Sequence, residues 1–227
     1  MGELLRSELR GWKVWEVLWL ITAATVITAL SVYWKDDLMG IICAATGVIC
    51  VVCTGKGKLS AYLFGAVNTL LYAIIAWNAR FYGEVMLNAL YYFPLQFYGF
   101  YVWSKHIDPD TGEVEKKRMT ARCRGALFAG LLAAAAAYGL LLERLGGSLP
   151  YVDALSTTAS VAAMMISVKM YAEQWILWIA VDIVTVFMWA FAFAGGNDSI
   201  ATLLMWIVYL GNAVIMYVKW NREAKRG

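Results

Sequence analysis

The segment QWILWIAVDIVTVFMWAFAFA, from Gln174 to Ala194, decides how the whole chain is read. It holds one charged residue, Asp182, among aliphatic and aromatic side chains. A helix on the surface of a soluble protein needs a polar face, and this run has none. At about 1.5 Å per residue, roughly 17–25 apolar residues cross the ~30 Å of hydrocarbon in a bilayer. The segment therefore reads as a membrane-spanning helix.

Working outward, seven more runs have the same character, over residues 14–34, 38–54, 59–77, 81–103, 125–142, 151–168 and 199–218. Short polar punctuators separate most of them, such as Lys35-Asp36-Asp37, Gly55-Lys56-Gly57-Lys58 and Gly195-Gly196-Asn197-Asp198. A β-barrel needs alternating strands of about ten residues. These runs are continuous and about twice as long. The expectation is an all-α polytopic membrane protein of eight transmembrane helices. Composition agrees: the chain is 62% hydrophobic and 15% charged, where a soluble domain carries about 25%. Eleven tryptophans and thirteen tyrosines suit a chain with two water–lipid interfaces to anchor.

Sidedness follows from Lys and Arg in alternate connections. With eight spans, sixteen of the nineteen basic residues fall on the side of the N-terminus. They are Arg6, Arg10, Lys13, Lys56, Lys58, Lys105, Lys116, Lys117, Arg118, Arg122, Arg124, Lys169, Lys219, Arg222, Lys225 and Arg226. Only Lys35, Arg80 and Arg144 fall on the other. Both termini are expected in the cytoplasm. The first helix does not read as a secretory signal, since its apolar run exceeds a signal core and no small-residue cleavage site follows. The loop over 105–124 contains Asp108-Pro109-Asp110-Thr111-Gly112, a turn signal, and reads as a solvated joint. Its Lys116-Lys117-Arg118 run reads as the ordinary basic flank of a membrane helix, and no nucleic-acid partner is expected.

The chain matches itself at an offset of about 114–116 residues, with Leu63-Phe-Gly-Ala-Val-Asn68 over Leu177-Trp-Ile-Ala-Val-Asp182 and Gln96 and Tyr101 over Asn212 and Tyr217. Equivalent helices lie four crossings apart and so run in the same direction. The plan is an extra N-terminal helix plus a 3+1+3 parallel repeat. Its divisions are 1–34 (an amphipathic stretch and the extra helix), 38–104 (first repeat), 105–124 (loop), 125–142 (linker helix), 150–218 (second repeat) and 219–227 (basic tail). Repeats related by an axis along the membrane normal are a transporter plan with substrate bound near the midplane.

Polar groups inside lipid are costly and mark candidate sites. Asp182 is the one charge well inside a span, with a structural hydrogen bond to a neighbouring helix as its other explanation. Trp175, Trp178 and Asp182 share a helical face, which would hold a flat cationic ring by stacking and cation–π attraction. The alternative for Trp175 is an interfacial aromatic belt. In the fourth run Asn88, Tyr91, Tyr92, Leu95 and Gln96 recur at helical spacing, and amides that donate and accept suit a neutral polar ligand. Asn68 and Asn212 extend this set, with interhelical hydrogen bonding as its other explanation. Pro94 should kink the helix. Cys43 and the Cys50-Val-Val-Cys53 pair lie in an apolar helix and read as packing, the Ala133–Ala137 run permits close helix approach, and His106 stands in the loop. No metal site, cofactor, phosphate loop or paired carboxylate of a hydrolase is expected, and an enzyme is disfavoured.

Together, Asn88-x-x-Tyr91-x-x-Pro94-x-Gln96-x-x-Gly99, Trp175-x-x-Trp178-x-x-x-Asp182 and Asn212-x-x-x-x-Tyr217 in a 3+1+3 frame resemble the PnuC vitamin transporters, from about Trp12 to Trp220. The plan is also similar to that of the SWEET sugar transporters. The resemblance implies uptake of nicotinamide riboside across the bacterial cytoplasmic membrane by facilitated diffusion, as a homotrimer, with a cytoplasmic kinase trapping the product. It implies Asn88, Gln96, Trp175, Trp178, Asp182, Asn212 and Tyr217 as substrate contacts, to which the reading of the polar residues adds Asn68 and Tyr92. Transporters similar to PnuC carry thiamine or riboflavin, so the vitamin stays open at this point. Phosphorylated substrates are disfavoured, because no Lys or Arg lies in the membrane interior.

Overall fold

The structure, a computed structural model, describes residues 8–79, 81–144, 150–195 and 200–226. Arg6, Arg80 and Ser199, which enter the sidedness and the span boundaries above, lie outside these residues. The helices are α1 (Val14–Tyr33), α2 (Leu38–Lys56), α3 (Ser60–Asn78), α4 (Tyr82–Met86), a π-helical stretch (Leu87–Tyr92), α5 (Phe93–Ser104), α6 (Ala121–Arg144), α7 (Pro150–Val168), α8 (Gln174–Ala194) and α9 (Ile200–Glu223). Two-residue strands β1 (Lys117–Arg118) and β2 (Lys225–Arg226) pair in parallel. Seven of the described helices are long and apolar enough to cross a membrane: α1, α2, α3, α6, α7, α8 and α9. The run expected as the fourth span, 81–103, is helical over 82–104 but is broken in its hydrogen-bond pattern at Leu87–Tyr92.

That break has a physical source. Pro94 has no N–H, and its ring crowds the carbonyl four residues back, at Leu90. A wide π turn just ahead of the proline is one way to relieve that crowding, and π stretches often mark functional sites. The expected kink at Pro94 thus takes the form of a π segment preceding it.

The chain divides into two compact units, one of residues 1–115 and 185–212, the other of 116–184 and 213–227. In the first unit, α3 buries Ala61, Tyr62, Gly65, Asn68, Thr69, Tyr72, Ala73 and Ala76, a stripe at three- and four-residue spacing that faces its neighbours. α1 buries a thinner line, Glu16, Ala23, Ile27 and Ser31. The core joins Ile27, Cys43, Val48, Val52, Tyr72, Trp189, Met205 and Trp206. Because lipid tails are as apolar as leucine, close packing and hydrogen bonds hold such helices together more than hydrophobicity does.

Acids at the connections close the helix ends of this unit. Asp37 accepts from the N–H of Gly40 at 2.9 Å and caps α2. Asp36 accepts from Ile200 and Ala201 at 3.2 and 2.7 Å and so caps α9. Glu8 accepts from Leu59 and Ser60 at the start of α3. α2 ends at Gly57 with φ of 81°, a left-handed turn that glycine adopts without steric cost.

The loop after α5 is exposed at its tip, over Asp108, Pro109, Asp110 and Thr111, as a solvated joint would be, while its second half is tied to the helix ends. Lys56 is 2% exposed and pairs with Glu16 at 2.7 Å and Glu113 at 2.8 Å. The buried Lys58 ammonium donates to the carbonyls of Arg10 and Gly112, both at 2.8 Å. Burial pushes that ammonium below the ordinary lysine value, while Glu113 and Glu8 pull it back up. Val114 donates to the carbonyl of Gly57. Of the loop's charges, Glu113 and Lys116 are paired, while Lys105, Asp108, Asp110 and Glu115 are exposed.

In the second unit, α6 and α7 form an antiparallel pair around Leu131, Ala159, Ala163 and Ile166, joined by Leu177 and Val181 of α8. A Cβ at Gly139 would stand 2.5 Å from the Tyr151 ring, so these two helices approach as closely as glycine allows. Of the Ala133–Ala137 run only Ala135 is buried, in line with Leu131 and Gly139. Glu173 accepts from Met119 with both carboxylate oxygens at 3.2 Å, and Lys116 pairs with Glu223 at 2.5 Å.

Candidate functional site

The polar residues singled out from the sequence are mostly buried: Asn68, Asn88, Gln96, Asp182 and Asn212 are all 9% exposed or less. Their surroundings differ between the two units.

In the first unit Asn68, on the stripe of α3, donates to the carbonyl of Cys43 at 2.9 Å and accepts from the Tyr209 hydroxyl at 3.3 Å. Gly47 makes room for this arrangement. A Cβ there would stand 2.0 Å from the Tyr209 hydroxyl and 2.6 Å from the Asn68 amide nitrogen. One turn along α3, Gly65 does the same for Gln96, whose Oε1 would lie 2.5 Å from an added Cβ. The exchange is reciprocal, since Gly99 of α5 receives the ring of Tyr62. Asn88 donates back to the Glu84 carbonyl at 2.9 Å across the start of the π segment. Asn212 donates to the Val51 carbonyl at 3.0 Å, while its Oδ1 is buried without a partner. Tyr92 is half-buried beside Tyr91, ring centroids 5.6 Å apart.

An aromatic group in this unit escaped the sequence reading. Trp189 donates to the Tyr72 hydroxyl at 2.7 Å, and Tyr72, Trp206 and Tyr209 follow edge to face at 5.5 and 5.0 Å. Scattered through apolar runs, such residues look like lipid anchors. Only the i, i+3 spacing of Trp206 and Tyr209 hinted that they share a face.

In the second unit Trp175 is 3% exposed and packs at 5.9 Å and 74° against Trp220, which removes the interfacial-belt explanation for it. Its indole nitrogen is buried without a partner. Trp178 is half-buried beside Leu177 and Val181. Asp182, one turn beyond Trp178, is 3% exposed. Tyr217 is exposed, and its carbonyl accepts from Asn221 at 2.8 Å. Among the described residues no group of three or more His, Cys, Asp or Glu stands ready to hold a metal. Cys43, Cys50 and Cys53 are free thiols.

Buried amides, indoles and a carboxylate inside apolar helices suit a solute-binding membrane protein, and comparison with known proteins gives the class. The model of a family described as nicotinamide mononucleotide transporter matches residues 37–222. A nicotinamide riboside transporter PnuC from Neisseria mucosa is 38% identical, with 95% of this chain and 84% of the relative covered. The chain belongs to the PnuC family of membrane transporters. A nicotinamide riboside transporter PnuC from Haemophilus influenzae is 33% identical over 99% of this chain and 97% of its own. A crystal structure of the vitamin B3 transporter PnuC superposes with a TM-score of 0.86 at 36% identity, covering 96% and 95% of the two chains. PnuC proteins are multi-pass transporters and not enzymes, as the sequence implied.

Proposed function

We propose that this PnuC-family member carries nicotinamide riboside across the bacterial cytoplasmic membrane by facilitated diffusion, with both termini inside and eight spans, the fourth being the interrupted run 82–104. The reading is supported most by one observation. Among the described residues the interiors of the membrane helices offer amides, indoles and one carboxylate, while every Lys and Arg lies toward a helix end or in a connection. A mononucleotide brings a phosphate that asks for such a cation. The riboside brings a cationic pyridinium, a carboxamide and hydroxyls, which this set can serve. The names of the two relatives point the same way.

The 3+1+3 repeat is part of the same proposal. Its equivalent positions Asn68 and Asp182, and Gln96 and Asn212, are all buried polar residues, as expected if each repeat turns the same face inward. The residues proposed for the vitamin are Asn68, Asn88, Tyr92, Gln96, Trp175, Trp178, Asp182, Asn212 and Tyr217, with Asn68 and Asn88 serving the fold first through their bonds to the Cys43 and Glu84 carbonyls. Assembly as a homotrimer and trapping of the vitamin by a kinase complete the reading. Without an ion couple, a chemical sink on the far side is what makes diffusion one-directional.

Calorimetric titration of the purified protein tests the substrate. The riboside should bind, with thiamine and the mononucleotide failing to compete. Tighter binding of the mononucleotide, or of thiamine, would replace the substrate and keep the fold.

A further inference from the structure

Gln174 is the first residue of α8, and it is fully buried with neither its Oε1 nor its Nε2 bonded to any described group. A buried amide left unpaired is costly, because it gives up its bonds to water without a replacement. It does not cap its helix. The N–H groups there are already taken, Gln174 by Tyr171, Trp175 by Ala172 and Ile176 by Glu173, each at 3.2 Å. Nor does Glu173 draw on it, because that carboxylate accepts from Met119.

Its position gives the amide a purpose. Gln174, Trp178 and Asp182 follow at intervals of four, so they line one side of α8. At about 1.5 Å of rise per residue, Gln174 stands about 6 Å from Trp178 and about 12 Å from Asp182 along the axis. Beside it, the Trp175 indole N–H is a second buried donor without a partner. A nucleoside whose base carries a carboxamide has the same order of groups: amide, flat ring, then sugar hydroxyls. A primary amide is also the natural complement of another, since each offers one acceptor oxygen and a donating NH₂.

We infer that Gln174 is the residue that reads the carboxamide of the transported nucleoside, pairing amide to amide at one end of a face on which Trp178 meets the ring and Asp182 the sugar. The inference rests on the substrate reading above and adds the group that selects among pyridinium ribosides. It also accounts for two unpaired buried atoms that the fold alone leaves without purpose.

The test compares two ligands, nicotinamide riboside and the pyridinium riboside with hydrogen in place of the carboxamide. The unsubstituted protein should prefer the former by roughly tenfold or more, the effect of one well-made buried hydrogen-bonded pair. Gln174→Met, similar in volume and unable to pair, should weaken the nicotinamide riboside roughly tenfold and leave the plain pyridinium riboside within about twofold. If Gln174→Met does not survive extraction, Gln174→Asn carries the same test: an amide set back by one methylene should lose most of the preference. Equal binding of the two ligands by the unsubstituted protein overturns the inference. So does a variant that weakens both ligands together or neither, which is how a purely structural glutamine behaves. Failure of the unsubstituted protein to bind any pyridinium riboside sinks the substrate reading itself, and this inference with it.

Discussion

Two stretches, the middle of α3 and the start of α8, treat their buried amides in opposite ways. In the first, Asn68 donates to the Cys43 carbonyl and accepts from the Tyr209 hydroxyl, and the Tyr72 hydroxyl accepts from the Trp189 indole, although the same unit also buries the Trp19, Tyr62 and Trp206 donors unpaired. In the second, Gln174 and the Trp175 indole are buried and unengaged, on the helix that also carries Trp178 and Asp182. Hydrogen bonds between membrane helices contribute modestly to stability, and a satisfied group has less to offer a ligand. On the proposed function, Asn68 holds helices together and Gln174 is kept for the solute. Of the amides picked out from the sequence, Asn68 and Asn88 belong first to the scaffold.

The contrast can be broken by substitution. Gly47→Leu should have the largest effect, because its Cβ alone would overlap the Tyr209 hydroxyl and the Asn68 amide. No monodisperse protein is expected on size exclusion, and a well-behaved variant would contradict the packing described. Lys56→Met leaves the Glu16 and Glu113 carboxylates at a buried end without their cation. Breaking such a pair typically costs about 3–5 kcal/mol. Its melting temperature should fall sharply while riboside affinity in the surviving fraction stays the same.

Asn68→Leu should lose roughly 1–3 kcal/mol of stability, about 0.5–1.5 kcal/mol for each of its bonds with the Cys43 carbonyl and the Tyr209 hydroxyl. Affinity should change less than stability, and the reverse order would move Asn68 from scaffold to site. Trp178→Ala has the smallest expected effect on stability, since the indole is only half-buried. It should nevertheless weaken the riboside by about 0.5–2 kcal/mol, as loss of a cation–π contact does. Unchanged affinity in this variant would remove the proposed function of the α8 face.

Much of the fold was legible because apolar length is a direct physical requirement of the bilayer. The run from Gln174 to Ala194 matches its helix end to end. Errors fall where helices leave hydrocarbon. α6 begins at Ala121, ahead of the expected residue 125, because Arg122 and Arg124 are tolerated in a first turn where Thr120 accepts from Cys123. α9 runs on to Glu223 because its last turns alternate buried Lys219 and Trp220 with exposed Arg222 and Glu223. Hydropathy counts apolar residues and cannot see such an amphipathic end. The π segment was foreshadowed only by Pro94. The pairing of the 105–115 loop with Lys56 and Lys58 was invisible, since partners far apart in sequence leave no local pattern.

For the candidate site, spacing alone places Trp175, Trp178 and Asp182 on one helical face, since periodicity within one helix needs no tertiary knowledge. It missed Gln174, which looks like an ordinary polar flank until its burial is known. It also missed Tyr72, Trp189, Trp206 and Tyr209, whose grouping depends on helices distant in sequence.

The central claim is that this chain by itself lets nicotinamide riboside equilibrate across a bilayer. Liposomes holding only the purified protein, loaded with no ion gradient and given labelled riboside, test it directly. Internal label should rise to the external concentration and no further, and unlabelled riboside should block the rise while thiamine and the mononucleotide do not. Accumulation above the external level only when a proton or sodium gradient is imposed, or no protein-dependent entry at all, would contradict it.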